Sequence, residues 1–359
     1  MPQAPSLPRR GVLAALGTAG LALPLAGFAP MGADRRAFEA MLARSRCLTP
    51  LPAAGAGGAT RKLTIAWNAT SICTSPIEVA RKHGILARHG LEVELINFGG
   101  STEALLEAIA TRKADAGVGM ALRWLKPLEM GFDVKITAGT HGGCMRLVGD
   151  PAAGITTDLD SLRGKTIAVT DMAAADKNFF AMVLKRAGID PEKDVTWRVF
   201  PAHVFGLALQ RREADAYTLG DPVAWTLRRD NNLVEVATNL SGVWADKACC
   251  ILGVSGGLVK EEPQTAAALT RALIEAQHLT AERPELAVEA FLEYAPGRVN
   301  RDDLLAILQT HTHGHSPVGG DIRREIEFYA SELKEVGVMR PRTDPKRFAE
   351  RVTADVLSV

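Results

Sequence analysis

The sequence predicts an α/β protein of two lobes with a helical C-terminal tail. Three observations carry the prediction. Short β-rich runs alternate with helical periodicity from Leu63 to about Val254. A short segment occurs twice, Ile109-Ala110-Thr111-Arg112-Lys113-Ala114-Asp115-Ala116 and Leu209-Gln210-Arg211-Arg212-Glu213-Ala214-Asp215-Ala216. Beyond Glu262-Pro263 the pattern is helical to the end, with Leu269, Leu273, Ile274 and Leu279 on one face. At 359 residues the chain exceeds one average domain and has room for two modest cores.

Leu63-Thr64-Ile65-Ala66-Trp67 reads as the first strand. Ser75-Pro76-Ile77-Glu78 then carries helix-start signals: a capping serine, a proline suited to the first turn, and a glutamate placed to complete a capping box. Gly84 and Gly90 are placed to end short helical turns, and Leu91 to Leu95 alternates as a second strand. Ala104, Leu105, Ala108 and Ile109 mark a helix face after Ser101, and Ala114 to Val118 a third strand. Each copy of the repeat is a helix end running into a strand that reaches a glycine, Gly119 or Gly220. Ile136 to Val148 reads as an extended crossover, Leu162 to Val169 opens the second lobe, and Cys249 to Val254 returns the chain to the first. The expected first lobe is therefore 61–148 with 249–359, and the second 149–248.

Residues 1–35 read as an export signal: Arg9-Arg10 precedes an apolar run of small residues, Gly11 to Ala29. The arginine pair resembles the twin-arginine type, with an ordinary secretory signal as the alternative. Residues 36–60 read as a flexible lead-in, and a periplasmic location is expected. Hydrophobic residues make up 47% and charged residues 23%, an ordinary soluble composition. A formal net charge of +1 provides no global field for nucleic acid or an anionic membrane, and no nucleic-acid partner is expected. The chain contains no P-loop and no G-x-G-x-x-G, and no catalytic residue is assigned.

Several segments resemble the periplasmic binding proteins for nitrate, alkanesulfonates, taurine and thiamine pyrimidines. They are Ala80-Arg81-Lys82-His83-Gly84-Ile85-Leu86 with Gly90-Leu91-Glu92-Val93, and Gly99-Gly100-Ser101-Thr102 with Ala114-Asp115-Ala116-Gly117. Leu162-Arg163-Gly164-Lys165 with Ile167-Ala168-Val169, and Ala214-Asp215-Ala216 followed by Pro222, complete the order. Lys113 departs from the glycine that the family often has before the third strand. The resemblance implies a type II periplasmic-binding-protein fold that closes a ligand in the cleft between two lobes. It implies delivery of that ligand to the membrane permease of an ABC importer, by a monomer. A small oxoanion or sulfonate is the expected ligand class; a thiamine pyrimidine or other amine-bearing ligand is the alternative. An enzyme resembling the thiamine-pyrimidine synthases and a metal-binding periplasmic protein are the remaining alternatives.

Ligand sites in open α/β sheets lie beyond the carboxyl ends of the strands, where helix N-termini favour anions. The candidate ligand-binding residues are therefore Trp67, Asn68, Ser71, Cys73 and Thr74 after the first strand, Ser101 and Thr102 at the next helix, and Arg123 after the third strand. His141 on the crossover, Thr170 and Asp171 at the head of a second-lobe helix, and Asp221 complete the set. Arg123 or Lys177 suits an acidic group, Asp221 an amine, and Trp67 or Trp225 an aromatic ring. Cys144 and the Cys249-Cys250 pair sit at the two lobe crossings, where a disulfide between them is geometrically reasonable. His141-Gly142-Gly143-Cys144 and His311-Thr312-His313-Gly314-His315 match no finger-like spacing, so no metal and no cofactor is assigned.

Overall fold

The structure, a computed structural model, describes residues 60–98, 102–297 and 299–358. The expected export signal, all but the last residue of the expected lead-in, and Ser101 lie outside the described residues. In chain order the first part comprises β1 (Arg61–Trp67), α1 (Pro76–Lys82), α2 (Ile85–Arg88), β2 (Leu91–Asn97), α3 (Thr102–Ala110), β3 (Ala116–Met120), α4 (Ala121–Glu129) and β4 (Val134–His141). Next come β5 (Met145–Gly149), β6 (Thr166–Val169), α5 (Ala175–Arg186), β7 (Thr196–Val199), α6 (Phe205–Gln210), β8 (Ala216–Gly220), α7 (Val223–Asp230) and β9 (Val234–Thr238). The chain then runs through β10 (Cys250–Ser255), α8 (Gly256–Glu261), α9 (Pro263–Glu282), α10 (Pro284–Tyr294), α11 (Arg301–Gln309), α12 (Gly319–Glu335) and α13 (Pro345–Val352).

Two five-stranded sheets result, with orders β2-β1-β3-β10-β4 and β7-β6-β8-β5-β9. In each, three strands run parallel and the fourth is antiparallel to both its neighbours. That fourth strand, β10 or β5, is the one that follows a crossing between sheets. The segment read as one extended crossover is two strands, β4 and β5, with the crossing at 142–144. The boundary expected at 148/149 therefore falls inside β5, because Met145–Gly149 pairs with β8 and β9 rather than with the first sheet.

The sequence repeat has a structural cause. The Asp115 carboxylate accepts the Thr64 N–H at 2.8 Å, and the Asp115 N–H donates to the Thr64 carbonyl at 2.8 Å. Asp215 makes the same pair of bonds to Thr166, again at 2.8 Å each. Each aspartate thus clamps the start of its strand to the neighbouring parallel strand. The preceding turn takes Arg112 and Arg212 into the left-handed region, at φ 60° and 58°, so the strained position lies one residue before Lys113 and Glu213.

Helix starts follow the sequence only in part. Pro76 occupies the first turn of α1, but the Ser75 side chain makes no capping bond and Glu78 pairs with Arg81 instead. Trp124 on α4 is fully buried over the glycines of β3 and β10: a Cβ on Gly119 would lie 2.8 Å from its Nε1, and one on Gly253 2.1 Å from its Cζ3. That close approach fixes α4, and with it Arg123, against the first sheet. Helix α12 packs on β4 of the first sheet and on α5 of the second, where Arg186 pairs with Glu332 at 2.7 Å. No helix among the described residues is long and apolar enough to cross a membrane.

Candidate functional site

A cavity of about 210 Å³ lies between loops of the two sheets. From the first sheet it is lined by Asn68 to Thr74 after β1, by Gly119 and Met120 at the end of β3, and by Arg123 on α4. From the second sheet it is lined by Leu219 to Val223, where β8 passes into α7. Cys250 at the start of β10 completes the wall. Apart from Cys250, which begins an antiparallel strand, the strand ends at the wall are carboxyl ends of parallel strands, as the fold requires. Helices α4 and α7 both begin at the wall, so their N-terminal dipole ends face the same space.

The β1 loop is held by its own polar groups. The Asn68 amide donates to Ser71 Oγ at 2.8 Å, and its oxygen accepts the Thr70 N–H at 3.0 Å. The Thr74 hydroxyl donates to the Asn68 carbonyl at 2.6 Å. Asn68 therefore shapes the loop, while the loop as a whole supplies the polar rim. On the other wall Asp221 is 4% exposed and already committed. Arg146 donates to it from Nε at 2.8 Å and from Nη2 at 2.8 Å, and His311 Nε2 lies 3.4 Å away. Arg146 is itself buried, and its Nη1 reaches Glu235 at 2.6 Å. Burial alone would push the Asp221 carboxyl up, but the His311 and Arg146 bonds outweigh it and hold the group below the usual carboxylate range. The Arg146 guanidinium, which burial would discharge, is kept charged by Asp221 and Glu235.

Six expected site residues, Asn68, Ser71, Cys73, Thr74, Arg123 and Asp221, meet at this cavity. Trp67 does not; it is buried edge-on to Tyr294, with ring centroids 5.0 Å apart. Thr102 opens α3, and Thr170 and Asp171 lie outside the lining. The exposed Asp171 accepts the Ala173 N–H at 2.6 Å, which makes it a turn residue. Lys177 sits over the Trp197 ring and near Glu192, and Trp225 lies under Arg146 and Arg228. Sequence reasoning missed Arg146, whose signal was a lone arginine inside the apolar run Met145–Val148. It also missed Asp176, a buried carboxyl that accepts from Thr218 at 2.7 Å. Burial pushes Asp176 up, against the pull of Thr218 and the Arg123 charge.

His141 lies at the end of β4 among buried thiols. Cys73, Cys144, Cys249 and Cys250 are free and buried, with Cys144 Sγ 3.0 Å from Cys249 Sγ and Cys250 Sγ 4.0 Å from Cys73 Sγ. Hydrogen bonds among them separate their proton affinities: the bond shared with Cys144 lowers the Cys249 thiol, while bonds to Cys144 and Cys249 leave Cys250 raised. The His141 ring stacks on His311 at 5.3 Å and tilts against His313 at 4.8 Å. Burial and the two neighbouring imidazoles push His313 well below the ordinary histidine value.

Among solved structures, the chain is similar to the periplasmic nitrate-binding protein NrtA from Synechocystis PCC 6803, at 17% identity and a TM-score of 0.67, covering 83% of this chain and 87% of that one. It is similar to the periplasmic aliphatic sulphonate binding protein SsuA from Escherichia coli, at 14% identity and a TM-score of 0.66, covering 80% and 91%. It is also similar to the zinc-bound ligand-binding component of an ABC-type import system from Staphylococcus aureus, at 13% identity and a TM-score of 0.66, covering 83% and 97%. The two-lobed α/β architecture is thus that of the periplasmic binding proteins. Comparison with curated protein sequences returns no match. The model of the NMT1-like family matches residues 56–291, well over half of the chain, and the protein belongs to that family.

Proposed function

We propose that the protein is the exported solute-binding component of an ABC importer and holds a small oxoanion or sulfonate between its two lobes. The observation that carries this reading is the cavity built from strand ends of both sheets, with Arg123 in its lining and two helices starting at its wall. Its volume of about 210 Å³ is below the ~300–1,000 Å³ typical of drug-sized ligands and suits a small one. Guanidinium charge, the Ser71 hydroxyl, which accepts from Asn68 and keeps its own proton, and helix N-termini are donors, which is the chemistry an oxoanion needs. The amine-bearing alternative depends on a carboxylate, and Asp221 is already paired with Arg146 and His311. The nitrate- and sulfonate-binding descriptions of the structural neighbours support the same class. The arginine pair and apolar run near the N-terminus support export to the periplasm, and a membrane permease is the partner that such a component serves.

A thermal-shift panel of ethanesulfonate, taurine, nitrate, bicarbonate and an aminopyrimidine tests the reading. A ligand at about 100 times its dissociation constant stabilises the fold by about 2.7 kcal/mol. The expected result is a shift with one of the anions that Arg123→Met abolishes. A shift with the aminopyrimidine alone would overturn the anion assignment.

A further inference from the structure

The geometry points to a binding site for one soft, thiophilic metal ion, zinc(II) or copper(I), formed by Cys73, His141, Cys144 and Cys250. One ligand atom from each of the four lies within 4.8 Å of every other. A tetrahedron with metal–sulfur bonds of ~2.3 Å places its sulfurs about 3.8 Å apart. Contraction of at most about 1 Å therefore closes the set around an ion. All four residues are at most 1% exposed. The group contains thiols and an imidazole only, a donor set that selects soft or borderline ions over magnesium or calcium.

The imidazole supplies an independent observation. His141 Nδ1 lies 3.1 Å from the Gly142 carbonyl oxygen, which can only accept, so Nδ1 carries the proton and Nε2 the lone pair. Among the described residues that Nε2 is buried with no hydrogen-bond partner. A buried acceptor without a partner is costly, and a backbone bond at the other ring nitrogen is the usual support for a metal-bound imidazole. Binding exchanges S–H bonds for S–metal bonds and releases the thiol protons to solvent, up to about three per zinc ion.

The placement also gives the ion a path and a consequence. Cys73 and Cys250 line the cavity, so the ion enters from the cleft. His141 and Cys144 flank one crossing between the sheets and Cys250 follows the other, while Cys73 belongs to the β1 loop. A bound ion therefore ties both crossings to the loop that rims the cavity. This goes beyond the importer reading, since an ion can be held there whether or not the cleft receives an anion.

The test uses the full chain, reduced and freed of metal. Zinc(II) is titrated against a chromogenic chelator and copper(I) against bicinchoninate, with cobalt(II) as a spectroscopic probe. One ion per chain is expected, with cobalt giving thiolate charge-transfer bands and tetrahedral d–d bands. Cys73→Ser and Cys250→Ser should each weaken binding at least about tenfold. Cys249→Ser removes only a neighbour of Cys144 and should weaken binding less than either, and circular dichroism confirms that each variant is folded. Retention of only zinc or only copper assigns the ion and supports the site. Three results would overturn it: no ion held by the reduced chain, equal loss in Cys249→Ser, or an octahedral cobalt spectrum. The anion panel is read on the metal-free chain, so each proposal fails separately.

Discussion

Replacing Asp221 by asparagine keeps the shape of the residue and removes its charge. In the native protein Arg146, 2% exposed, has Nε and Nη2 on Asp221 at 2.8 Å and Nη1 on Glu235 at 2.6 Å. The asparagine amide turns a donor toward the guanidinium and leaves a buried cation with a single charged partner. Removing one member of a buried pair costs about 3–5 kcal/mol. Glu235, whose side chain is 29% exposed, survives as a counter-charge, which places the loss at the lower end, about 3 kcal/mol. For a unit of this size that lowers the melting temperature by about 6 °C. The assay is urea denaturation followed by circular dichroism, where the midpoint should fall with the slope unchanged. The double variant Arg146→Met/Asp221→Leu should recover most of the loss, because it leaves no unpaired buried charge. A cost below about 1 kcal/mol for Asp221→Asn, or a double variant worse than the sum of its parts, would show that Asp221 is not the main counter-charge of buried Arg146.

Three further outcomes follow from the same structure. Asp221 has a depressed carboxyl, so its contribution is present above the unfolded value of about 3.9 and lost as pH falls through the lower folded value. Acid titration of stability should therefore show a loss in that range that Asp221→Asn lacks. Asp176 works in the opposite sense: its raised carboxyl contributes below the unfolded value and loses that contribution as pH rises through the folded one. Asp176→Asn should stabilise the chain at neutral pH by about 1 kcal/mol, with the advantage vanishing in acid. Gly253→Ala would place a Cβ 2.1 Å from Trp124 Cζ3 and should cost about 1–3 kcal/mol by the same denaturation assay.

The fold was legible where local chemistry and pattern agree. Alternating strands and helices, the Gly84 and Gly90 turns at φ 66° and 73°, and the returning strand at β10 all follow from the residues. The repeat was legible as a pattern, but its cause, an aspartate clamping two parallel strands, needs both strands in view. The capping box at Ser75 failed because Glu78 found Arg81, a competition within the helix that spacing does not reveal. The cavity residues of the β1 loop and β8 were legible because strand-end loops face the cleft in this architecture. Trp67 was not, since its strand position suits both wall and core, and Tyr294, which decides between them, comes from α10. The thiol–imidazole cluster was illegible for the same kind of reason. Cys73, His141, Cys144 and Cys250 share no finger-like spacing and meet only because both sheet crossings pass beside the β1 loop.

The most direct test of the central claim is a crystal structure of the full chain grown with the anion that stabilises it most. One anion is expected between the Asn68–Thr74 loop and the Leu219–Val223 segment, with the Arg123 guanidinium within hydrogen-bonding distance. An anion bound outside the cavity, or one inside it that leaves Arg123 untouched, would contradict the account.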